Sequence, residues 1–185
     1  MATVCPRPYA SAIVSKPPLE PYPPDLPEEP GEPDLEAGLT DVVVRDADWA
    51  NRRVTRTILH RAELHTVRLT GADLAESTFR DVRLVGCRLD LAAARLAKFE
   101  RVIFSDCRLE ELDLYGAQLQ DVLFERCVLR EATFSGVTSK RVELRGCDLT
   151  GLRGAEALRG MRMPWNDVLE NAPLFAGVVG IEIVD

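Results

Sequence analysis

The sequence predicts an all-β fold in which the chain coils into a square parallel β-helix. Three observations indicate this fold: a five-residue apolar register, small residues at one place in that register, and glycines at another. Positions 44 to 149, taken in steps of five, are large and apolar at twenty of twenty-two places, the exceptions being Ala94 and Ser139. The residue two places earlier is small or β-branched equally often, with Arg52 and Leu112 as exceptions.

A period of five residues fits neither an ordinary helix nor an ordinary strand. On an α-helix, five residues turn through about 500°, so the apolar positions would scatter around the axis. On a continuous strand, an odd step would place alternate apolar positions on opposite faces. A chain that turns a corner after every five residues avoids both problems, because the apolar position and the small residue two before it then point to the same side. Four such segments make a coil of twenty residues.

The glycines mark the expected corners. Every glycine between residues 42 and 151 lies two places after an apolar position, and Asp or Asn often takes the same place elsewhere. These residue types tolerate turn geometry best. Stacked coils would pair their backbones in parallel, about 4.8 Å apart, around one column of side chains. The glycines are Gly71, Gly86, Gly116, Gly136, Gly146 and Gly151.

The pattern Ala-(Asp/Asn)-Leu-x-x recurs in "ADWAN" (47–51), "ADLAE" (72–76), "CRLEE" (107–111) and "CDLTG" (147–151). It resembles the repeat of the pentapeptide-repeat family. The resemblance implies that the β-helix is right-handed and quadrilateral. It also implies two functional expectations, because some members mimic DNA and bind DNA gyrase, protecting it from quinolones, and some pair two molecules through a C-terminal helix.

We predict three regions along the chain. Residues 1–36 hold most of the prolines and few large apolar residues, so we expect a disordered Pro/Glu-rich tail whose removal leaves stability nearly unchanged. Its prolines 21, 24, 27, 30 and 33 recur every third residue, a spacing that suits a polyproline II face. Residues 37–151 form the pentapeptide-repeat β-helix. Residues 152–185 form a short helical C-terminal cap, which is also the candidate dimerisation segment.

The cysteines raise the question of a metal site or disulfides. Four of them are spaced by twenty residues, which is one coil, so we predict a single inward column of inert thiols: Cys87, Cys107, Cys127 and Cys147. A zinc ion needs four sulfurs converging at about 2.3 Å, which a linear stack cannot supply. Inward packing argues against disulfides between neighbours. The chain starts without a recognisable secretory signal and has no long apolar run, so we expect a cytoplasmic protein with free thiols.

No group of residues predicts catalysis. The sequence has no glycine-rich phosphate loop, no Ser/His/Asp set and no pair of inward carboxylates, so we expect neither an enzyme nor a bound cofactor or metal. The two histidines, His60 and His65, each follow an apolar position and should face solvent.

Charge separates the two candidate functions. The net charge of −7 comes from −5 in residues 1–36 and −2 in residues 152–185, whereas residues 37–151 are balanced. Duplex DNA as long as the predicted column, about 26 Å, carries about 15 negative charges. We therefore predict a non-enzymatic scaffold or protein-interaction module with an unknown protein partner, without direct binding of nucleic acid or membrane. A gyrase-binding DNA mimic is the alternative, and a homodimer through the C-terminal segment is compatible with both.

One outward row of the predicted β-helix is more apolar than a solvent-facing row should be. Ile103 and Leu123 lie one coil apart in this row, with Val85 and Val128 nearby. We predict a protein-binding patch from these four residues, with coverage by the tail or the C-terminal segment as the other explanation.

Overall fold

The computed structural model describes residues 17–25 and 34–184. Within these ranges six strands form one parallel sheet in chain order, with partners twenty residues apart. Single bridges with the same spacing, such as Arg68 with Arg88, continue the pairing around the other sides of each coil. The structure thus confirms the square parallel β-helix. Its strands are β1 (Leu39–Arg45), β2 (Ile58–His65), β3 (Thr78–Val85), β4 (Lys98–Ser105), β5 (Gln118–Glu125) and β6 (Thr138–Arg145).

The corners lie where the glycines predicted them. Every fifth residue from Asp41 to Gly151 has a positive φ, between 48° and 72°. At Gly71 the corner is closed by a hydrogen bond, because the Ala72 N–H donates to the Leu69 carbonyl at 3.0 Å. Glycine adopts this left-handed conformation without steric cost, whereas other residues pay a small penalty at each coil.

Each strand also contains one corner, near its fourth residue. In β3 this residue is Asp81, and the ladder with β2 pairs the residues on either side of it but not Asp81 itself. The strands therefore bend together along one line parallel to the axis. We call this line the bent edge; it is formed by residues 41, 61, 81, 101, 121 and 141.

The core is a continuous column of apolar side chains, as the register predicts. Phe79 stacks on Phe99 with ring centroids 4.7 Å apart, and Phe104 stacks on Phe124 at 4.9 Å. Leu112, an exception to the small-residue rule, is also buried. Stacked and tilted aromatic pairs of this kind add to the free energy gained by burial.

The C-terminal region closes the last coil. A 3₁₀ helix (Ala155–Leu158) is followed by α1 (Trp165–Glu170) and α2 (Ala172–Val179). Between them Arg162 continues the ladder: its N–H donates to the Val142 carbonyl, and its own carbonyl accepts from the Leu144 N–H, both at 2.9 Å. The predicted short helical cap is confirmed, and it pairs backbone groups that an open end would expose.

The prediction of a disordered tail is wrong for residues 17–25. These residues lie along the bent edge and hydrogen-bond to it. The segment has too little apolar surface to build a core of its own, but it needs none, because it binds to an edge of the β-helix that is already folded. Residues 34–36 of the predicted tail are ordered as well, because Leu35 is 4% exposed and packs in the core. Residues 1–16 and 26–33, with prolines 27, 30 and 33, lie outside the described residues. None of the helices described is both long enough and apolar enough to cross a membrane.

Candidate interaction surfaces

The bent edge carries alternating charges. From one coil to the next its side chains are acidic, then basic, so that each carboxylate has a guanidinium one coil above it. In sequence terms, aspartates recur every forty residues with arginines halfway between them. The residues, in order, are Asp41, Arg61, Asp81, Arg101, Asp121 and Arg141.

Each aspartate on the bent edge is held by the arginine of the next coil. Arg101 donates from Nε to Asp81 Oδ1 at 2.6 Å and from a terminal nitrogen to Oδ2 at 2.8 Å. Arg141 donates to both carboxylate oxygens of Asp121 in the same bidentate geometry, and Arg61 donates to Asp41 through one nitrogen. Only 3% of the Asp81 side chain and none of that of Asp121 is exposed. Such bidentate pairs hold both side chains in one geometry.

Residues 17–25, which we call the strap, bind these aspartates through backbone N–H groups. The N–H of Leu19 donates to Asp121 Oδ1 at 3.2 Å, and the N–H of Tyr22 donates to Asp81 Oδ1 at 3.1 Å. The third bond runs from the N–H of Asp25 to Oδ1 of Asp41, at 2.9 Å. The strap therefore runs opposite to the order of the coils and spans five of them.

The spacing of these three bonds matches the spacing of two repeats, one of polyproline II and one of the coils. A polyproline II segment rises about 3.1 Å per residue, so three residues advance about 9.3 Å. Two coils of a β-helix advance about 9.6 Å, since strands lie about 4.8 Å apart. Every third residue of the strap therefore meets every second coil. Pro18, Pro21 and Pro24 are the half-buried residues of the strap, whereas those between them are exposed.

Side chains add two further contacts between the strap and the β-helix, which we call the solenoid. The guanidinium carbon of Arg101 lies 5.6 Å from the centre of the Tyr22 ring, within cation–π distance. Glu20 forms an ion pair with Arg83 at 3.2 Å. The Glu20 side chain is 75% exposed, so this ion pair contributes little to binding.

The pKa values of the bent-edge aspartates are lowered, which favours their ionised form. Burial alone would raise the pKa of Asp81. The hydrogen bonds from Arg101 and from the Tyr22 N–H, together with the positive charge of Arg101, have the larger effect and lower the pKa below its ordinary value of 3.8. At Asp121, burial is outweighed in the same way by Arg141 and the Leu19 N–H, and its pKa is lowered. Each aspartate therefore offers the strap a negatively charged acceptor.

The four residues of the predicted patch do not form an open apolar strip. Ile103 points outward but is only 4% exposed, and Val85, Leu123 and Val128 are partly buried. The strap crosses this region, because Glu20 and Pro21 lie between its bonds to Asp121 and Asp81. The burial of Ile103 beside the strap agrees with coverage of this row by the tail, which was the other explanation of its apolar character.

The four cysteines lie in one inward column at the predicted positions. All are buried, and none of these four thiols forms a disulfide. Each thiol donates to a carbonyl of the coil below, as Cys107 does to Leu84 at 3.5 Å. The neighbouring thiols and burial hold the pKa of Cys107 far above its usual range. A neutral, hydrogen-bonded thiol here is a small core group.

The remaining polar candidates do not assemble into a metal site. His60 lies 3.9 Å from Asp81, and His65 bonds Glu63 at 3.1 Å, so the two histidines have separate partners. In residues 17–25 and 34–184, no three His, Cys, Asp or Glu side chains come together closely enough to hold a metal ion.

The C-terminal region presents a second surface of interest. A shallow apolar depression lies between the end of the 3₁₀ helix and the helices α1 and α2. It is lined by Leu158, Met161, Met163, Val168 and Phe175. Many larger apolar side chains beyond residue 164 face solvent instead, and Trp165 is 71% exposed. These exposed residues are Trp165, Leu169, Val178, Val179, Ile181, Ile183 and Val184.

Comparison with known proteins supports the fold. The protein-family model described as a pentapeptide repeat region matches residues 57–134 and 78–153, which together exceed half of the chain. No curated protein matches. Among solved structures, QnrB1, a plasmid-mediated fluoroquinolone resistance protein, is 13% identical with a TM-score of 0.40, over 61% of this chain and 70% of that one.

Two other solved structures are similar at the same distant level. HetL, a pentapeptide repeat protein involved in heterocyst differentiation regulation in the cyanobacterium Nostoc, is 19% identical with a TM-score of 0.40, over 70% of this chain and 73% of its own. A pentapeptide repeat protein from the thylakoid lumen of Arabidopsis thaliana is 18% identical with a TM-score of 0.32, over 70% and 74%. None of these resemblances carries an argument about function.

Proposed function

Because the chain belongs to the pentapeptide-repeat family, we propose that it is a non-enzymatic scaffold that binds other proteins and pairs with a second copy of itself through its C-terminal segment. The observation that supports pairing is the set of apolar side chains beyond residue 164 that face solvent. Trp165 and Val179 are 71% and 69% exposed although backbone bonds attach the cap to the last coil. A concentration of exposed large apolar side chains in one short segment is typical of interfaces.

The attachment of the cap supports a fixed rather than a loose interface. Arg162 extends the ladder beside Glu143, and the N–H of Gly146 donates to a carboxylate oxygen of Asp167 at 2.5 Å. This second bond holds α1 against the last coil. A surface held in this way loses little conformational freedom on association.

A gyrase-binding DNA mimic is less well supported by the surface charges. Acids outside the bent edge are also paired across coils, as Asp106 is with Arg126 at 2.7 Å and Glu76 with Arg56 at 3.0 Å. A mimic of duplex DNA needs a continuous acidic surface, and pairing of this kind neutralises it coil by coil. A supercoiling assay with purified gyrase and a fluoroquinolone separates the two functions, because a scaffold unrelated to gyrase leaves supercoiling and its inhibition unchanged.

A reducing compartment is the environment we propose for this scaffold. The four stacked thiols are free, and a cytoplasmic location fits thiols that contribute to packing and need no oxidation.

Sedimentation of the full chain tests the pairing. We expect a dimer for the native chain and a monomer for the double variant Leu169→Glu with Val179→Glu, because charges would have to be buried in the interface. The matched control is Asn166→Glu with Ala172→Glu, which adds the same charge at two other exposed positions of the same helices. A native chain that sediments as a monomer at all concentrations contradicts the proposed pairing.

A further inference from the structure

We propose that the bent edge is a binding site for polyproline II segments, that the strap occupies it within the chain, and that a proline-rich segment of a partner protein takes its place. This inference rests on the proposed role as a scaffold and names the class of partner. The chemistry required of the partner is a proline at every third residue, each followed by a residue that retains its N–H.

The donors of the strap are selective for residue type. Within residues 17–25 only Leu19, Glu20, Tyr22 and Asp25 carry a backbone N–H, and three of these four donate to the bent edge. Proline lacks this donor, so an unbroken proline run could not make the bonds. The half-buried residue before each donor is a proline in all three cases. The site thus recognises both the prolines and the interruptions between them.

The acceptors are held in place by bonds that do not involve the strap. Arg101 and Arg141 bind both carboxylate oxygens of Asp81 and Asp121 from the next coil, so these carboxylates do not need to reorient. Polyproline II has no internal hydrogen bonds, and it loses little entropy on binding because proline fixes its backbone. A rigid acceptor ladder and a rigid ligand of matching pitch bind with a small ordering cost.

Recognition through the backbone leaves the donor side chains free to vary. The Leu19 and Tyr22 side chains are 54% and 65% exposed although their N–H groups are bonded. The site therefore fits a class of proline-rich segments rather than one sequence. At the middle position the cation–π contact between Arg101 and Tyr22 favours an aromatic residue.

The strap also leaves one polar group of the bent edge unused. The Nε atom of Arg61 is buried and has no hydrogen-bond partner among the described residues. Arg61 lies on the coil between the bonds made by Tyr22 and Asp25. Buried donors are normally satisfied. A segment with a side-chain acceptor between its second and third donors, where the strap has Pro23 and Pro24, would therefore bind more tightly than the strap, which favours a foreign segment over the chain's own.

Fluorescence anisotropy with labelled peptides tests the proposal on full-length protein. The probe is the blocked peptide PPLEPYPPD, which has the sequence of residues 17–25. In the triple variant Leu19→Pro, Tyr22→Pro and Asp25→Pro, the strap loses its donors but retains its polyproline II preference. We expect this variant to bind the probe at least about tenfold more tightly than the native chain, in which the tethered strap competes at an effective concentration of the order of millimolar.

Matched controls isolate the hydrogen bonds. Glu20→Pro adds a proline at a position whose N–H is not bonded to the bent edge, so this variant should bind the probe as weakly as the native chain. The peptide PPAEPYPPA should bind the triple variant within about threefold of the probe, because only side chains that face solvent are lost. The peptide PPPEPPPPP has no donors at the three positions and should not bind. Equal binding of all three peptides, or no tighter binding by the triple variant, overturns the proposal.

Two further measurements exclude other outcomes. If the triple variant does not fold, as judged by circular dichroism, the native chain is titrated with excess probe, and the exchange rate of the Tyr22 amide is followed. Faster exchange supports displacement of the strap, and an unchanged rate overturns it. Sedimentation of the native chain and the triple variant detects exchange of straps between two copies of the chain. If the native chain is a dimer and the triple variant is a monomer, the site binds the strap of a second copy, and the proposed foreign partner is overturned. The C-terminal variants play no part in these tests, so failure here is distinct from failure of the pairing proposed above.

Discussion

In the solenoid, Phe104 stacks on Phe124 inside a closed column, whereas in the strap the Tyr22 ring is largely exposed and its backbone N–H makes the bond. Both regions follow the same axial spacing. The solenoid is stabilised mainly by apolar burial, which is nondirectional and large in total. The strap is held by a few directional bonds to charged acceptors. A repeat structure can therefore order a segment that has no core of its own, provided that the hydrogen-bond donors of the segment have the same spacing as the acceptors of the repeat.

The solenoid core should show the largest effect. Replacing Phe104 with Ala removes a stacked ring from a position that is 1% exposed, and we expect a loss of about 3–5 kcal/mol in the free energy of unfolding. Tyr115→Ala is the control, because that ring is 55% exposed and should contribute less than about 1 kcal/mol. Urea denaturation measures both. Similar losses for the two variants would show that the column is not packed as described.

The bent edge lies between the two regions and should give an intermediate effect. Asp121→Ala leaves the Arg141 guanidinium partly buried without its partner and removes the acceptor of the Leu19 N–H, so we expect a loss of about 2–3 kcal/mol. Asp106 forms a fork with Arg126 across one coil in the same way but is half exposed. Asp106→Ala should therefore cost less than about 1 kcal/mol. Equal losses for the two variants would show that burial does not determine the strength of these two pairs of equal geometry.

Acid should weaken the bent edge before it affects the apolar core. The pKa values of Asp41, Asp81 and Asp121 are lowered in the folded protein, so these groups contribute stability above the ordinary aspartate pKa of 3.8. This contribution is lost as the pH falls below 3.8 toward the folded-state pKa values. Chemical denaturation between about pH 5 and pH 2 should show the decline, with a shallower slope for Asp121→Asn, which cannot titrate. A native chain with no decline in this range would contradict the assignment of these shifts.

The strap should have a small but measurable effect on stability. Removing residues 1–33 deletes three hydrogen bonds to charged acceptors, offset in part by the cost of ordering nine residues, so we expect a loss of about 1–2 kcal/mol. For a chain of this size that loss lowers the melting temperature by roughly 2–8 °C. The Glu20→Pro chain is the control and should melt with the native protein. An unchanged melting temperature after the deletion would restore the expectation that the tail is independent of the solenoid.

The fold could be predicted in detail from the sequence because each coil repeats one local rule. The apolar register placed the core, the glycines placed the corners, and the spacing of Cys87 to Cys147 placed the thiol column. The continuation of the ladder at Arg162 could not be predicted, because residues beyond 151 leave the register and the ladder bonds of Arg162 are made by its backbone groups, which carry no sequence signal.

The strap was missed because its proline content is typical of disorder and each aspartate of the bent edge resembles an ordinary corner residue. The signal lies in two spacings taken together. Asp41, Asp81 and Asp121 recur every forty residues, and Leu19 and Tyr22 interrupt the prolines at a period of three. Converted to distances, both periods are close to 9.5 Å. The apolar outward row at Ile103 was noticed, but sequence alone could not distinguish an open patch from a covered one.

Amide hydrogen exchange in the strap tests most directly the claim that strap and solenoid share one spacing. The four amides of residues 17–25 belong to Leu19, Glu20, Tyr22 and Asp25, and NMR resolves them individually. We expect Leu19, Tyr22 and Asp25 to exchange at least about tenfold more slowly than in the free nine-residue peptide, and Glu20 to exchange at the peptide rate. Exchange of all four amides at the peptide rate would show that the strap is not bound to the bent edge and that the two spacings do not match in solution.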